Sequence, residues 1–145
     1  MPFRLEIVTV EREVFAEEVD FVVVPGEGGE LGILPRHAPL VSTLKTGELR
    51  IRRAGQVEYF AVSGGFVQVR PDKVVVLADA AEHSEEIDEA RAQEARERAE
   101  VSLREHPERG GQVLQELRRA TLRLQVARRR QRSPSVRSRD DDASQ

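Results

Sequence analysis

Cysteine and tryptophan are absent from this chain of 145 residues, and methionine and tyrosine occur once each. Without cysteine there are no disulfides, no thiolate metal sites and no cysteine nucleophile, which fits a reducing compartment. The three histidines, His37, His83 and His106, lack the spacing of a metal site. Neither a Gly-x-Ser-x-Gly elbow nor a phosphate-binding loop ending in Gly-Lys-Ser/Thr occurs. No apolar run reaches the roughly 18 residues that cross a bilayer, and Met1 to Glu6 carry no signal-peptide pattern. The expectation is a soluble, non-catalytic protein, at most peripheral to a membrane, that holds no metal and requires no cofactor.

What is present changes character near Ser84. All six aromatics (Phe3, Phe15, Phe21, Tyr59, Phe60, Phe66) and most valines precede it, and helix-forming Ala, Glu, Gln, Arg and Leu follow it. The first part can build its own core. The second has only narrow apolar stripes and needs support from a partner, a ligand or the first part. Every basic residue after Ser84 is Arg. That bias suits forked hydrogen bonding to phosphate or carboxylate, although alternating charges also describe an ordinary solvated helix.

Up to residue 84 the pattern is one of short strands. Phe3-Leu5-Ile7-Thr9 alternates with polar neighbours, and Val14 to Val24, Leu40 to Leu44, Glu48 to Arg53, Val57 to Val62, Phe66 to Arg70 and Lys73 to Leu77 follow. Gly47, Ala54-Gly55, Gly64-Gly65 and Pro71-Asp72 punctuate them, and Gly64-Gly65 reads as a hairpin bend. Such spacing predicts an antiparallel sandwich or flattened barrel.

Residues 85 to 105 hold no Gly or Pro, and Ser84 ahead of Glu85, Glu86 and Asp88 predicts a capped helix start. Ala92, Ala95, Ala99 and Leu103 form its apolar stripe, His106-Pro107 ends it, and Gly110-Gly111 completes a hinge. From Gln112 a second helix aligns Val113, Leu117, Ala120, Leu124 and Ala127. Two short helices so joined are predicted to pack antiparallel. The Arg-, Ser- and Asp-rich residues 131 to 145 are predicted to be a disordered charged tail. The domain reading is therefore a β-domain over 1–84, a helical hairpin over 85–130 and the tail.

Candidate binding residues fall in two places. The segment 29 to 40, with Gly29, Gly32, Pro35 and Pro39, predicts a stiff protrusion carrying Glu30 and His37. In the hairpin, a hinge centred near Glu108 brings Arg98 level with Arg119 and Arg91 level with Arg123. Arg91 and Arg98 share a face about 10 Å apart along the axis. Four such guanidinium groups on one side repel each other, and a polyphosphate would relieve the repulsion, with Asp88 free to accept from a base or ribose. The alternative is that Glu94 and Glu116 pair with these arginines on the surface. A competing reading of the whole chain is an RNA-binding β-domain, with Tyr59, Phe60 and Phe66 as stacking aromatics and six arginines from Arg128 to Arg139 as an arm.

Three segments together carry a resemblance: Gly-Glu-Leu-Gly-Ile-Leu-Pro-x-His-Ala-Pro-Leu at 29 to 40, Val-Ser-Gly-Gly-Phe-x-x-Val at 62 to 69, and Ile-Asp-x-x-Arg-Ala at 87 to 92. In this order and spacing, over about residues 3 to 130, the chain resembles the epsilon subunit of bacterial F-type ATP synthase. The resemblance implies a β-sandwich of about ten strands followed by a C-terminal antiparallel two-helix hairpin. It further implies binding to the gamma subunit and to the ring of c subunits on the cytoplasmic face of the cell membrane, with Glu30 and His37 facing the ring. It implies inhibition of ATP hydrolysis when the helices extend toward the alpha/beta head. Members that bind ATP as a regulatory ligand use positions that here are Glu82, Ile87, Asp88, Arg91, Ala92, Arg98, Arg119 and Arg123.

Overall fold

The structure, a computed structural model, describes residues 2–143, with side chains over residues 2–129. The chain divides at the Ser84 boundary into two compact units, Met1–His83 and Ser84–Gln145. All aromatic residues and most valines lie before this boundary.

The first unit holds eight strands: β1 (Phe3–Val8), β2 (Glu13–Val19), β3 (Phe21–Gly26), β4 (Gly29–Ile33), β5 (Leu40–Leu44), β6 (Gly47–Arg53), β7 (Gln56–Val69) and β8 (Lys73–His83). They pair in the order β2-β1-β8-β7-β5-β3-β4, with β6 joining β3 to β7. The sandwich expected from the sequence is present with fewer, longer strands. Gly64-Gly65 does not close a hairpin. Both glycines lie inside β7, which pairs with β6 up to Val62 and with β5 from Gly65 on, while β8 pairs with it in one register from Phe60 to Val69. Gly64 and Gly65 have φ of 70° and 110°, and a Cβ on Gly65 would stand 2.0 Å from the Leu77 carbonyl oxygen. The pair therefore turns a corner at which no side chain fits. Two further differences follow from long-range pairing that local pattern does not encode. β1 runs parallel to β8, and Gly29–Ile33, expected as loop, is strand β4.

Alternation sets the core. Phe3, Leu5 and Ile7 point inward from β1, and Val22, Val24, Leu49, Ile51, Phe60, Val62, Val67 and Val76 join them. Thr9 ends β1 by exchanging side-chain hydrogen bonds with the backbone of Arg12. The aromatic end of the core is tied by charge. Arg53 lies over the Phe15 ring and donates to Glu58 (Nε to Oε2, 2.6 Å) and to Glu17, joining β2, β6 and β7. His83 Nε2 donates to Glu58 Oε1 at 3.0 Å, and its ring meets Phe60 edge-on.

In the second unit a 3-10 turn at Ser84–Glu86 precedes α1 (Glu89–Glu105). The cap differs from expectation: Asp88, not Ser84, is the N-cap. Its backbone is extended and its Oδ1 accepts from the Arg91 N–H at 3.1 Å, which satisfies one orphan donor of the first turn. The helix ends at His106, where Pro107 opens a 3-10 turn, Pro107–Arg109. Gly110 and Gly111 begin α2 (Gly110–Ala143) instead of forming the connection, and Gly110 is already right-handed helical. The α2 helix continues into the segment expected to be disordered, whose side chains lie outside the described residues.

Candidate functional site

Helical geometry decides where the arginines stand. Ala92 and Ala99 are buried on α1, and Val113, Ala120, Leu124 and Ala127 on α2. These residues form the seam, with Ala95, Leu103 and Leu117 half-buried beside it. Arg128 Nε meets Glu89 Oε1 at 3.3 Å, tying the start of α1 to α2 far from the connecting turn and fixing the helices as antiparallel. Counting from that pair, Arg98 is level with Arg119, and Arg91 stands within one turn of Arg123. Each arginine immediately precedes a buried seam residue: Arg91 before Ala92, Arg98 before Ala99, Arg119 before Ala120, Arg123 before Leu124. One step back turns about 100° around the axis. Because the helices run in opposite directions, the two turns have opposite sense in space, so all four arginines emerge on the same side of the hairpin.

Arg91, Arg98 and Arg119 are exposed and Arg123 is half-buried. Among the described residues, the guanidinium groups of Arg91, Arg98 and Arg119 have no carboxylate within ion-pair distance. None of these three pairs with Glu94 or Glu116 among the described residues. Arg98 also borders an open groove with Glu94, Glu97, Ser102 and Glu105, but this runs along α1 and the turn and does not gather the four cations. Ile87 and Ala92 are buried, and Asp88 caps α1 through its carboxylate. Glu82 lies near the end of β8, opposite Ala61 of β7, in the first unit.

Glu30 and His37 do not cluster. Glu30 is opposite Pro25, near the tip of the β3–β4 hairpin, whereas His37 follows β4 in the loop at its other end. There Arg36 takes a left-handed φ of 64°, the His37 N–H donates to the Leu34 carbonyl at 3.2 Å, and His37 Nδ1 donates to Ala38 O at 2.7 Å. Glu30 accepts from Arg50 on β6.

Two features escape sequence reading. Alternation on β5, β7 and β8 leaves Val41, Phe66 and Leu77 pointing outward, each more than half exposed. The aromatic platform needed for RNA does not form, because Phe60 is fully buried, Tyr59 is half-buried before the β7 corner, and Phe66 stands beyond it.

Fold and site together define a two-unit protein: a rigid β-module followed by a helical hairpin with a cation-lined flank. The chain belongs to the ATP synthase delta/epsilon family, whose β-sandwich domain model matches residues 2–84 and whose long α-helix domain model matches residues 85–130. It is 52% identical to the ATP synthase epsilon chain of Dehalococcoides mccartyi over 136 residues, covering 92% of this chain and 97% of that one. It is 50% identical to the epsilon chain of Herpetosiphon aurantiacus, covering 90% and 97%. Among solved structures, a chain in the Euglena gracilis mitochondrial ATP synthase, in an assembly of OSCP, F1 and c-ring, aligns with a TM-score of 0.70 at 25% identity, covering 81% of this chain and 76% of that chain.

Proposed function

We propose that this chain is the rotor subunit that couples gamma to the c ring of a bacterial F-type ATP synthase, on the cytoplasmic face of the membrane. It serves the complex without catalysing a reaction itself, and its helices restrain ATP hydrolysis. The observation that carries this reading is the pair of family domains in order over residues 2–130, in a fold that matches them. No helix among the described residues is long and apolar enough to cross a membrane, so the membrane is reached through partners. The outward row of Thr43, Phe66, Leu77 and Val8 across β5, β7, β8 and β1 offers apolar surface on a stiff sheet, the kind of face a partner covers. Gamma is the proposed occupant, and co-purification that weakens on Phe66→Asp tests it.

The hairpin acts as a switch with ATP as its regulatory ligand. Four same-side arginines, three of them without a carboxylate partner among the described residues, favour a polyphosphate, and Ile87, Asp88 and Ala92 complete the proposed site within this unit. ATP bound to the closed form alone stabilises it by RT ln(1 + [L]/Kd), about 2.7 kcal/mol at a hundredfold excess over Kd. Opened end to end, residues 87 to 130 span roughly 65 Å as helix, a reach that would carry α2 to the alpha/beta head. Calorimetry on the full chain is expected to show ATP binding at millimolar Kd or tighter, weakened at least tenfold by Arg91→Ala with Arg123→Ala. No heat with the parent chain removes the ligand. Deleting residues 87 to 145 is expected to raise hydrolysis by the assembled enzyme, and an unchanged rate removes the inhibitory role.

A further inference from the structure

We infer that Arg50 is a positioning residue for Glu30, and that the surface offered to the ring at this point is the ion pair rather than a free carboxylate. The inference rests on the proposed coupling to the c ring and on the ring-facing position that the family resemblance implies for Glu30. Glu30 on β4 and Arg50 on β6 flank β3 from opposite sides. Val23 of β3 pairs with Gly32 and with Arg50, so Gly32, Val23 and Arg50 form one row across three strands. Glu30, two residues from Gly32, shares their face. The two side chains start about 10 Å apart across two ladders, and further apart along the strands. Only a long arm closes that distance. Arg50 Nη1 reaches Glu30 Oε2 at 2.7 Å, while both side chains keep substantial exposure, 39% and 60%. The carboxylate and the guanidinium thus meet over β3, and both remain accessible on that face.

Two consequences separate this arrangement from a lone acidic contact. Removing the carboxylate leaves an uncompensated cation on the docking face, so Glu30→Gln is expected to be more harmful than Glu30→Gln with Arg50→Ala. Removing the guanidinium frees Glu30 to rotate, so Arg50→Ala is expected to act through Glu30 and not in addition to it.

The test is a double-mutant cycle on the full chain, reassembled into the synthase in inverted membrane vesicles. The readout is the ratio of ATP-driven proton pumping to ATP hydrolysis, with the thermal midpoint of each isolated variant followed in parallel. Glu30→Gln and Arg50→Ala are each expected to lower the ratio about two- to fivefold, the range of an exposed ion pair. The double variant should be no worse than Glu30→Gln, and Arg50→Lys should restore only part, having a point charge in place of the fork. Additive losses overturn the inference, as does an Arg50→Ala variant whose midpoint falls while its ratio holds. Should Arg50→Ala fail to fold, Arg50→Gln and Arg50→Lys complete the cycle. A silent Glu30→Gln sinks the ring-facing role itself, and the inference with it. A harmful Glu30→Gln beside a silent Arg50→Ala sinks the inference alone.

Discussion

The two units are stabilised in different ways. In the sandwich the buried residues are large: Phe60, Leu5, Ile7, Leu49 and the β-branched side chains around them are essentially inaccessible to water. In the hairpin the buried residues of α1 are alanines, Ala92 and Ala99, while α2 buries Val113, Leu122, Leu124 and Val126 besides Ala120 and Ala127. Burying a methylene is worth about 0.8 kcal/mol, so an alanine seam gains little on closing, whereas each core residue of the sandwich contributes about 1.5–3 kcal/mol. The difference teaches that one chain can carry an anchor and a switch without a hinge of special chemistry.

The sharpest way to break the comparison is to empty one position in each unit. Phe60→Ala removes a fully buried ring that meets Phe15 and His83 edge-on, and is expected to destabilise the sandwich by about 3–5 kcal/mol. Tyr59, the single tyrosine in a chain without tryptophan, reports that unfolding by fluorescence, separately from helix content at 222 nm. Leu124→Ala is expected to cost about 2 kcal/mol, the low end for such a change, because small neighbours across the seam can close the space. It should lower the midpoint of the helical signal and leave the Tyr59 transition in place. Equal shifts of both signals by either variant would mean that the units fold as one, and the anchor-and-switch division would fail.

Much of this contrast is legible in the residues. The alternation of Phe3, Leu5 and Ile7, the break at Ser84, the proline stop after His106 and the arginine levels all follow from local period or from counting along a helix. What escapes such reading depends on partners far away in the chain. Gly64-Gly65 carries a local hairpin signal, but β8 stays paired with β7 across the pair, so the glycines bend the strand at a corner instead of reversing it. Glu30 and Arg50 are 20 residues apart, and nothing short of the β3 ladders brings them together. Ser84 and Asp88 are both good caps, and the choice between them rests on the 3-10 turn that buries Ser84. The Glu89–Arg128 pair was available to the same level counting that aligned Arg98 with Arg119.

The smallest expected effect concerns pH, and it falls on the sandwich alone. Burial pushes the Glu58 carboxyl up, but hydrogen bonds from Arg53 and then His83 outweigh it, and the net result lies below the ordinary carboxylate value. A carboxylate with a depressed value in the folded state releases its proton more readily there than in the unfolded chain. Its contribution is therefore complete above the ordinary carboxylate value, about pH 4.5, and is lost as pH falls through the lower folded value. Arg53→Met removes the stronger opposing partner, leaves burial less contested, and moves the Glu58 value back up. The parent chain should therefore lose Tyr59-reported stability over a window below about pH 4.5, where the variant, already weaker at neutral pH, loses less. Glu6 is also depressed, chiefly by its hydrogen bond from Lys73, but that interaction is common to both proteins and cancels in the difference. Parallel pH profiles for the two would show that Arg53 holds the aromatic end of the core through its stack on Phe15 and not through Glu58.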